Sequence, residues 1–208
     1  MSIIIGIGGG SGAGKTTLAN RLQELLKDKL SVIQFDHYCC DQSHLPMEER
    51  VKVNYDIPSS YDSSLLLKHI IDLQNNIAIA RPCYSMSTHT RTSETLTIMP
   101  NEVIIVEGIM VFSNPDVFKQ YDYRIFVDAA ENVRFERRKR RDIVERGRTE
   151  ESVTKQFYST VKPMHDIYIE PSKQNCDLIF DNNQANGLDE EQVQNLLQQI
   201  LNLVKKNS

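Results

Sequence analysis

Short apolar runs recur along the chain at residues 3–7, 31–35, 103–106, 123–127 and 176–180, each followed by a polar or glycine-rich turn. Runs of this length, rich in β-branched residues, predict strands buried on both faces, as in a parallel sheet. Between them the apolar positions switch to helical spacing. Leu18, Leu22, Leu25 and Leu26 follow the first run, and Leu65, Leu66, Ile70, Ile71 and Leu73 lie behind a capping Asp62 or Ser63. A last helix from about Asp189 to Lys205 carries Val193, Leu196, Leu197, Ile200, Leu201, Leu203 and Val204, with Leu188 just before it. Residues 47–53 predict a short helix, 54–62 a turn-rich segment and 181–187 a loop. Strand and helix alternate, which predicts one α/β domain over residues 1–208, without repeat or linker. One stretch, residues 77–99, breaks the rhythm. Residues 77–80 and 95–98 read as the strands of an inserted β-hairpin, with Pro82, Tyr84, His89 and Arg91 between them. On pattern alone the hairpin is equally part of a substrate pocket or an ordinary polar excursion.

The turn after the first strand changes the picture most. Gly9-Gly10-Ser11-Gly12-Ala13-Gly14-Lys15-Thr16, with Thr17 after it, fits G-x-x-x-x-G-K-[ST] and sits between a predicted strand and a predicted helix. In that context backbone N–H groups and the helix dipole converge on one spot, and glycine lets a phosphate approach the backbone. Lys15 can reach the β- and γ-phosphate oxygens of a nucleoside triphosphate, and the Thr16 hydroxyl can ligate Mg²⁺. Acids stand at the carboxyl ends of later strands, Asp36 and Glu107 among them. That edge of an open α/β sheet is where ligands bind. Glu107 is either a partner of Mg²⁺ or a strand-end carboxylate in an ion pair.

Composition excludes several classes. The 208 residues are 40% hydrophobic and 25% charged, as in soluble globular proteins, and the net charge of −4 gives no global pull toward nucleic acid. No apolar run approaches the ~20 residues that span a bilayer. The first strand begins almost at once, leaving no room for a signal peptide. Cys39, Cys40, Cys83 and Cys176 show neither metal-ligand nor disulfide spacing. A cytoplasmic protein with reduced thiols is the expectation.

Against this acidic background, residues 134–148 hold eight basic residues and three acids. A charge run is usually a solvated helix face. This one is mostly arginine, which grips phosphate in fork geometry. It ends in Arg146-Gly147-Arg148, and Thr149-Glu150-Glu151-Ser152 supplies cap-like residues for a further helix. Helix, arginine-bearing turn, helix predicts a lid at about 141–150 that closes over transferring phosphates.

The chain resembles the uridine kinases (uridine–cytidine kinases), most closely the bacterial type, over nearly its whole length. The resemblance rests on the phosphate loop; Asp36 with Asp41-Gln42-Ser43-His44-Leu45; Met47-Glu48-Glu49-Arg50-Val51-Lys52; Asn54-Tyr55-Asp56; Tyr84 with His89-Thr90-Arg91; Glu107-Gly108-Ile109; Arg141-Asp142 with Glu145-Arg146-Gly147-Arg148; Gln156; and Val161-Lys162-Pro163-Met164 with Glu170-Pro171-Ser172-Lys173. It implies a phosphate-loop kinase fold: a five-stranded parallel sheet flanked by helices, with an inserted hairpin and an arginine-bearing lid. It implies transfer of the γ-phosphoryl of ATP or GTP to the 5′-hydroxyl of a pyrimidine ribonucleoside, with Mg²⁺, in pyrimidine salvage. Asp36 is then the general base. Asp56 and Arg148 hold the ribose, with Gln156 and Arg138 nearby. Tyr84 and His89 read the pyrimidine. Arg141 and Arg146 meet the phosphates, and Thr16 and Glu107 form the Mg²⁺ shell. The resemblance also implies a homotetramer, with no nucleic-acid or membrane partner. The chain departs from the family in three places. Met86 replaces an aromatic expected beside the base, Cys39 and Cys40 replace an aromatic and a basic residue near Asp36, and Asp181-Asn182-Asn183-Gln184 replaces a loop with arginine and glycine.

Other readings remain beside this one. A related kinase would act on another small hydroxylated acceptor, such as a sugar phosphate or pantothenate; Tyr84, His89 and Asn54-Tyr55-Asp56 argue against it. A guanine-reading switch would carry [NT]-K-x-D, but the nearest match, Thr154-Lys155-Gln156-Phe157, lacks the acid. A non-catalytic homologue is disfavoured by intact Lys15, Thr16, Asp36 and Glu107.

Overall fold

The computed structural model describes residues 2–184 and 187–207. Ala185 and Asn186, part of the predicted loop 181–187, lie outside the described residues. Strand β1 (Ile3–Gly8) is buried throughout and leads through the glycine-rich turn into α1 (Lys15–Leu26). Then come β2 (Leu30–Gln34), a 3₁₀ turn at Phe35–Tyr38, α2 (Met47–Arg50) and α3 (Ser63–Gln74). The hairpin β3 (Ile79–Ser85) and β4 (Thr90–Ile98) precedes β5 (Val103–Glu107), α4 (Pro115–Phe118) and β6 (Tyr123–Asp128). Helices α5 (Glu131–Arg146) and α6 (Glu150–Gln156) follow. The chain continues as wide and narrow helical turns around α7 (Lys162–Met164) before β7 (Leu178–Asp181) and α8 (Glu190–Asn207).

Among the described residues, β2, β5, β1, β6 and β7 form a parallel sheet in that order, and β3 with β4 form a separate antiparallel pair. The five predicted strands are these five. Successive side chains of a strand point to opposite faces, so one sheet builds two cores. Ile3, Ile5 and Ile7 pack with Leu18 and Leu22 of α1 and Val193, Leu196 and Ile200 of α8. Ile4, Ile104, Val106 and Phe126 pack on the other face with Leu66, Ile70 and Leu73 of α3. Each such side chain, fully buried, is worth about 1.5–3 kcal/mol. This rigid sheet aligns the carboxyl ends of β1, β2 and β5 on one edge.

The hairpin extends further than the apolar pattern showed: its strands run through Ser85 and from Thr90, where residues 77–80 and 95–98 were expected. Most of β4 is exposed, so its ladder leaves no alternating apolar signature. The register slips between Pro82 and Tyr84, which suits a proline that has no N–H to give. Asp62 caps α3 by accepting from Leu65 N (3.0 Å) and also takes Arg91 Nη2 of the hairpin (3.2 Å), tying hairpin to helix.

Candidate active site

The phosphate loop is held from both sides. Ala13 N donates to Gly10 O (3.0 Å), and Lys15 Nζ reaches back to the same carbonyl (3.0 Å). Gly12 has φ +82° and packs so closely that an added Cβ would lie 2.2 Å from Arg134 O, so only glycine fits there. Asn182 Nδ2 donates to Ala13 O (2.7 Å), and Arg137 Nη1 donates to Asn182 O (2.9 Å). The loop after β7 is thus laced to the phosphate loop through an amide and an arginine. Ser11 is buried, while Thr16 and Thr17 face solvent at the start of α1.

Three charges meet at the sheet edge. Lys15 is buried, and its pKa is lowered by that burial, with Arg141 and Arg134 adding repulsion and Glu107 and Asp36 opposing. Burial, reinforced by Asp36, pushes Glu107 up to about 7 against the pull of Lys15 and Thr16. Thr16 Oγ1 donates to Glu107 Oε1 at 2.9 Å. A hydroxyl and a buried carboxylate side by side are hard oxygen donors of the kind Mg²⁺ takes. Among the described residues no group of three or more His, Cys, Asp or Glu could hold a metal alone. The pair therefore fits a Mg²⁺ that takes its other ligands from substrate phosphates and water.

Asp36 lies in the 3₁₀ turn at the end of β2, within electrostatic reach of Lys15, Glu107, Asp56, Tyr84 and Arg146. Asp56 is buried, and burial raises its pKa, with Asp36 and Asp142 adding and Arg138 opposing. Asp56, Arg148 and Gln156 line one cavity of about 560 Å³ together with Asn54, Tyr55 and Met164. Of the hairpin residues, Tyr84 is buried with its ring edge-on to Tyr55 (6.4 Å), and His89 stacks on Tyr55 (5.5 Å, 18°). Met86 stands 39% exposed at the hairpin turn. Cys39 is buried and Cys40 partly buried, and both are free thiols.

Part of the arginine run of α5 turns inward. The buried residues of this helix are Arg134, Arg138 and Asp142, a charged stripe at helical spacing where apolar residues would be expected. Asp142 is fully buried. Its carboxylate takes Arg141 Nη2 (2.8 Å), Arg146 Nη1 (3.4 Å), Arg148 Nη1 (3.4 Å) and Arg138 Nε (3.6 Å). Burial alone would raise its pKa, but these guanidiniums hold it below the usual carboxylate range. Arg138 also donates to Ser11 Oγ (2.7 Å) and Gln156 Oε1 (2.9 Å), so it bridges the phosphate loop to the cavity. Arg148 Nη1 donates to the same Gln156 oxygen. Helix α5 ends at Gly147, which is left-handed (φ +62°), and Thr149 caps α6 by accepting from Ser152 N (3.2 Å). The predicted helix–turn–helix at 141–150 is present.

Sequence reasoning missed Asp142 as the common acceptor, Arg134 beside Gly10, and Arg137 and Asn182 behind the phosphate loop. The i, i+4, i+8 stripe of Arg134, Arg138 and Asp142 was a readable sign that the charged face points inward.

Comparison with known proteins agrees with this architecture. The model of the "Phosphoribulokinase / Uridine kinase family" matches residues 4–189. A uridine kinase from Clostridium perfringens is 45% identical over 179 residues, covering 86% of each chain. One from Bacillus cytotoxicus is 43% identical, covering 86% of this chain and 84% of its own. In solved structures the fold is similar to a possible uridine kinase from Bacillus stearothermophilus (TM-score 0.61, 21% identity, 86% and 89% of the two chains). It is also similar to a D-glycerate 3-kinase from Cryptococcus neoformans (TM-score 0.63, 14% identity, 88% and 86%).

Proposed function

The chain belongs to the phosphoribulokinase / uridine kinase family of kinases, and from that premise we propose that it is a uridine/cytidine kinase. It transfers the γ-phosphoryl of ATP or GTP to the 5′-hydroxyl of a pyrimidine ribonucleoside, giving UMP or CMP for pyrimidine salvage. The observation that carries this reading is one juxtaposition: Asp36 lies within electrostatic reach of both the phosphate-loop Lys15 and the Asp56 that lines the cavity. A carboxylate in reach of both the triphosphate cradle and an acid on the cavity wall is suited to take the proton of an acceptor hydroxyl.

In this reading the phosphate loop and Lys15 bind the triphosphate, and Arg141 and Arg146 meet the transferring phosphoryl. Asp56, Arg148 and Gln156 hold the ribose, with Arg138 behind them, and Asp36 takes the 5′-hydroxyl proton. Tyr84, His89 and Met86 face the base. A neutral imidazole offers one donor and one acceptor, so His89 can serve the 4-position of either pyrimidine. Thr16 and Glu107 would hold Mg²⁺, which when bound neutralises charge on the β- and γ-phosphates. The reading extends to a cytoplasmic homotetramer, which sedimentation would check.

A nucleoside panel with ATP and GTP as donors, followed by coupled ADP or GDP release, tests the assignment. Uridine and cytidine should be phosphorylated and adenosine and guanosine rejected. Failure with both pyrimidines, with turnover of a sugar phosphate or pantothenate instead, overturns the acceptor assignment.

A further inference from the structure

His37 follows Asp36 directly, and its Nδ1 lies 3.1 Å from the backbone nitrogen of Tyr84. A backbone N–H can only donate, so Nδ1 accepts, and the ring proton of the neutral imidazole sits on Nε2. The contact falls where the β3–β4 register slips, next to the bulge after Pro82. The same turn is gripped from the other strand, because Arg91 donates from Nε to Cys39 O (2.8 Å) and from Nη2 to Tyr38 O (3.1 Å). Arg91 thus binds the turn's carbonyls to β4, and His37 binds its side chain to β3. Between them they tie both strands of the hairpin, Tyr84 included, to the turn that carries Asp36.

We propose that His37 is a positioning residue of the phosphoryl transfer, holding Tyr84 in register with Asp36 through its Nδ1 acceptor. This rests on the acceptor reading given above, in which Tyr84 faces the base and Asp36 the 5′-hydroxyl. His37 touches neither substrate; it sets the distance between the two groups that do.

The surroundings favour the accepting form. On β3, Arg81 is buried, and its Nε and Nη1 make no hydrogen bond among the described residues. Protonating His37 would place a second cation beside this uncompensated one and aim an Nδ1–H at the Tyr84 N–H. Burial and Arg81 accordingly hold the His37 pKa below its ordinary value, with Asp36 opposing. The other groups at this corner are Tyr38 on the same turn, whose hydroxyl pairs with His69 Nδ1 of α3 (2.8 Å), Cys83 on β3 and Arg91 on β4. The contact is therefore intact at neutral pH and lost in acid.

The test compares His37→Ala and His37→Asn with the wild type. Asparagine places an oxygen near the Nδ1 position and cannot titrate. His37→Ala should raise the nucleoside KM roughly 2- to 13-fold, the loss of one neutral hydrogen bond, with the ATP KM unchanged. His37→Asn should restore the KM and abolish its rise in acid. Protection of the Tyr84 amide, measured by hydrogen exchange relative to its intrinsic rate at each pH, reads the contact without any substrate. It should fall in acid and in His37→Ala and hold in His37→Asn. Amide protection that is insensitive to both pH and His37→Ala overturns the contact, and a protected amide with no kinetic consequence overturns the positioning role. If no pyrimidine nucleoside is turned over while the exchange behaves as expected, it is the acceptor reading that fails, and with it the positioning role.

Discussion

Removing the buried Asp142 carboxylate should destabilise the protein strongly, because four guanidiniums converge on it. Asp142 has no exposed side-chain surface, and Arg138, Arg141, Arg146 and Arg148 approach it at 2.8–3.6 Å with side chains 8–33% exposed. Breaking a buried ion pair by deleting one partner costs about 3–5 kcal/mol, because the other charge is left uncompensated. Three of these arginines keep some contact with water, so the low end, about 3 kcal/mol, is the appropriate figure for Asp142→Ala. For a chain of this size that is roughly 6–12 °C in Tm. Asp142→Asn keeps the shape and one acceptor and should lose less. A carboxyl held below its unfolded pKa contributes stability that is full above about pH 4 and fades as pH falls through the folded value. Thermal melts should thus show a constant gap between wild type and Asp142→Asn from pH 8 to pH 5, closing in stronger acid. Activity should fall with stability, since Arg141, Arg146 and Arg148 lose their common anchor. An Asp142→Ala protein melting within about 2 °C of wild type at pH 7 would show that solvent, not Asp142, neutralises these arginines.

Asp36→Asn should lower kcat by roughly 10²–10⁴-fold with little change in ATP affinity, the range for a lost general base; a loss confined to KM would make Asp36 a binding residue. Gly12→Ala puts a Cβ at φ +82°, 2.2 Å from Arg134 O, and calorimetric titration should show ATP binding abolished or greatly weakened; unchanged affinity would mean the loop need not hold this conformation. Met86→Phe adds a flat face beside the base; with one side in solvent, about 1 kcal/mol of stacking or a roughly 5-fold lower nucleoside KM is expected, and a raised KM would place Met86 outside the base pocket.

The sheet and the phosphate loop were legible because burial and backbone conformation leave local marks. Residues 3–7 and 103–106 are apolar without interruption because both faces of β1 and β5 are covered. Gly12 and Gly14 are glycines because their φ values are positive. Asp36 and Glu107 were marked as candidates by their place at the ends of apolar runs. The hairpin's full length was hidden because β4 is held by its ladder and not by burial. Short α4, capped by Asn114, escaped notice since four residues carry no period. The irregular helical turns at 157–175 alternate between wide and narrow windings, which blurs any single period. The basic run was visible, but its acceptor was not. Arg141 and Arg148 lie on different elements, and only the turn at Gly147 brings both to Asp142.

The same helix shows why an anionic ligand belongs at this edge. Arg134 Nη1 is a buried donor without a hydrogen-bond partner among the described residues, and it lies over Gly10 of the phosphate loop. A buried donor left unmade costs about 1–3 kcal/mol, more when charged. Lys15 adds a buried ammonium whose only hydrogen bond among the described residues is to a neutral carbonyl. Asp142 is one carboxylate shared among four arginines, and Glu107 is itself pushed toward its protonated form. The protein's own acids therefore under-compensate the cations gathered around the phosphate loop. A triphosphate brings several negative charges and many acceptor oxygens to that place, in a low-dielectric setting where each contact counts for more than in water. Phosphate oxygens in the loop would answer these buried cations with acceptors that the protein's own side chains do not supply.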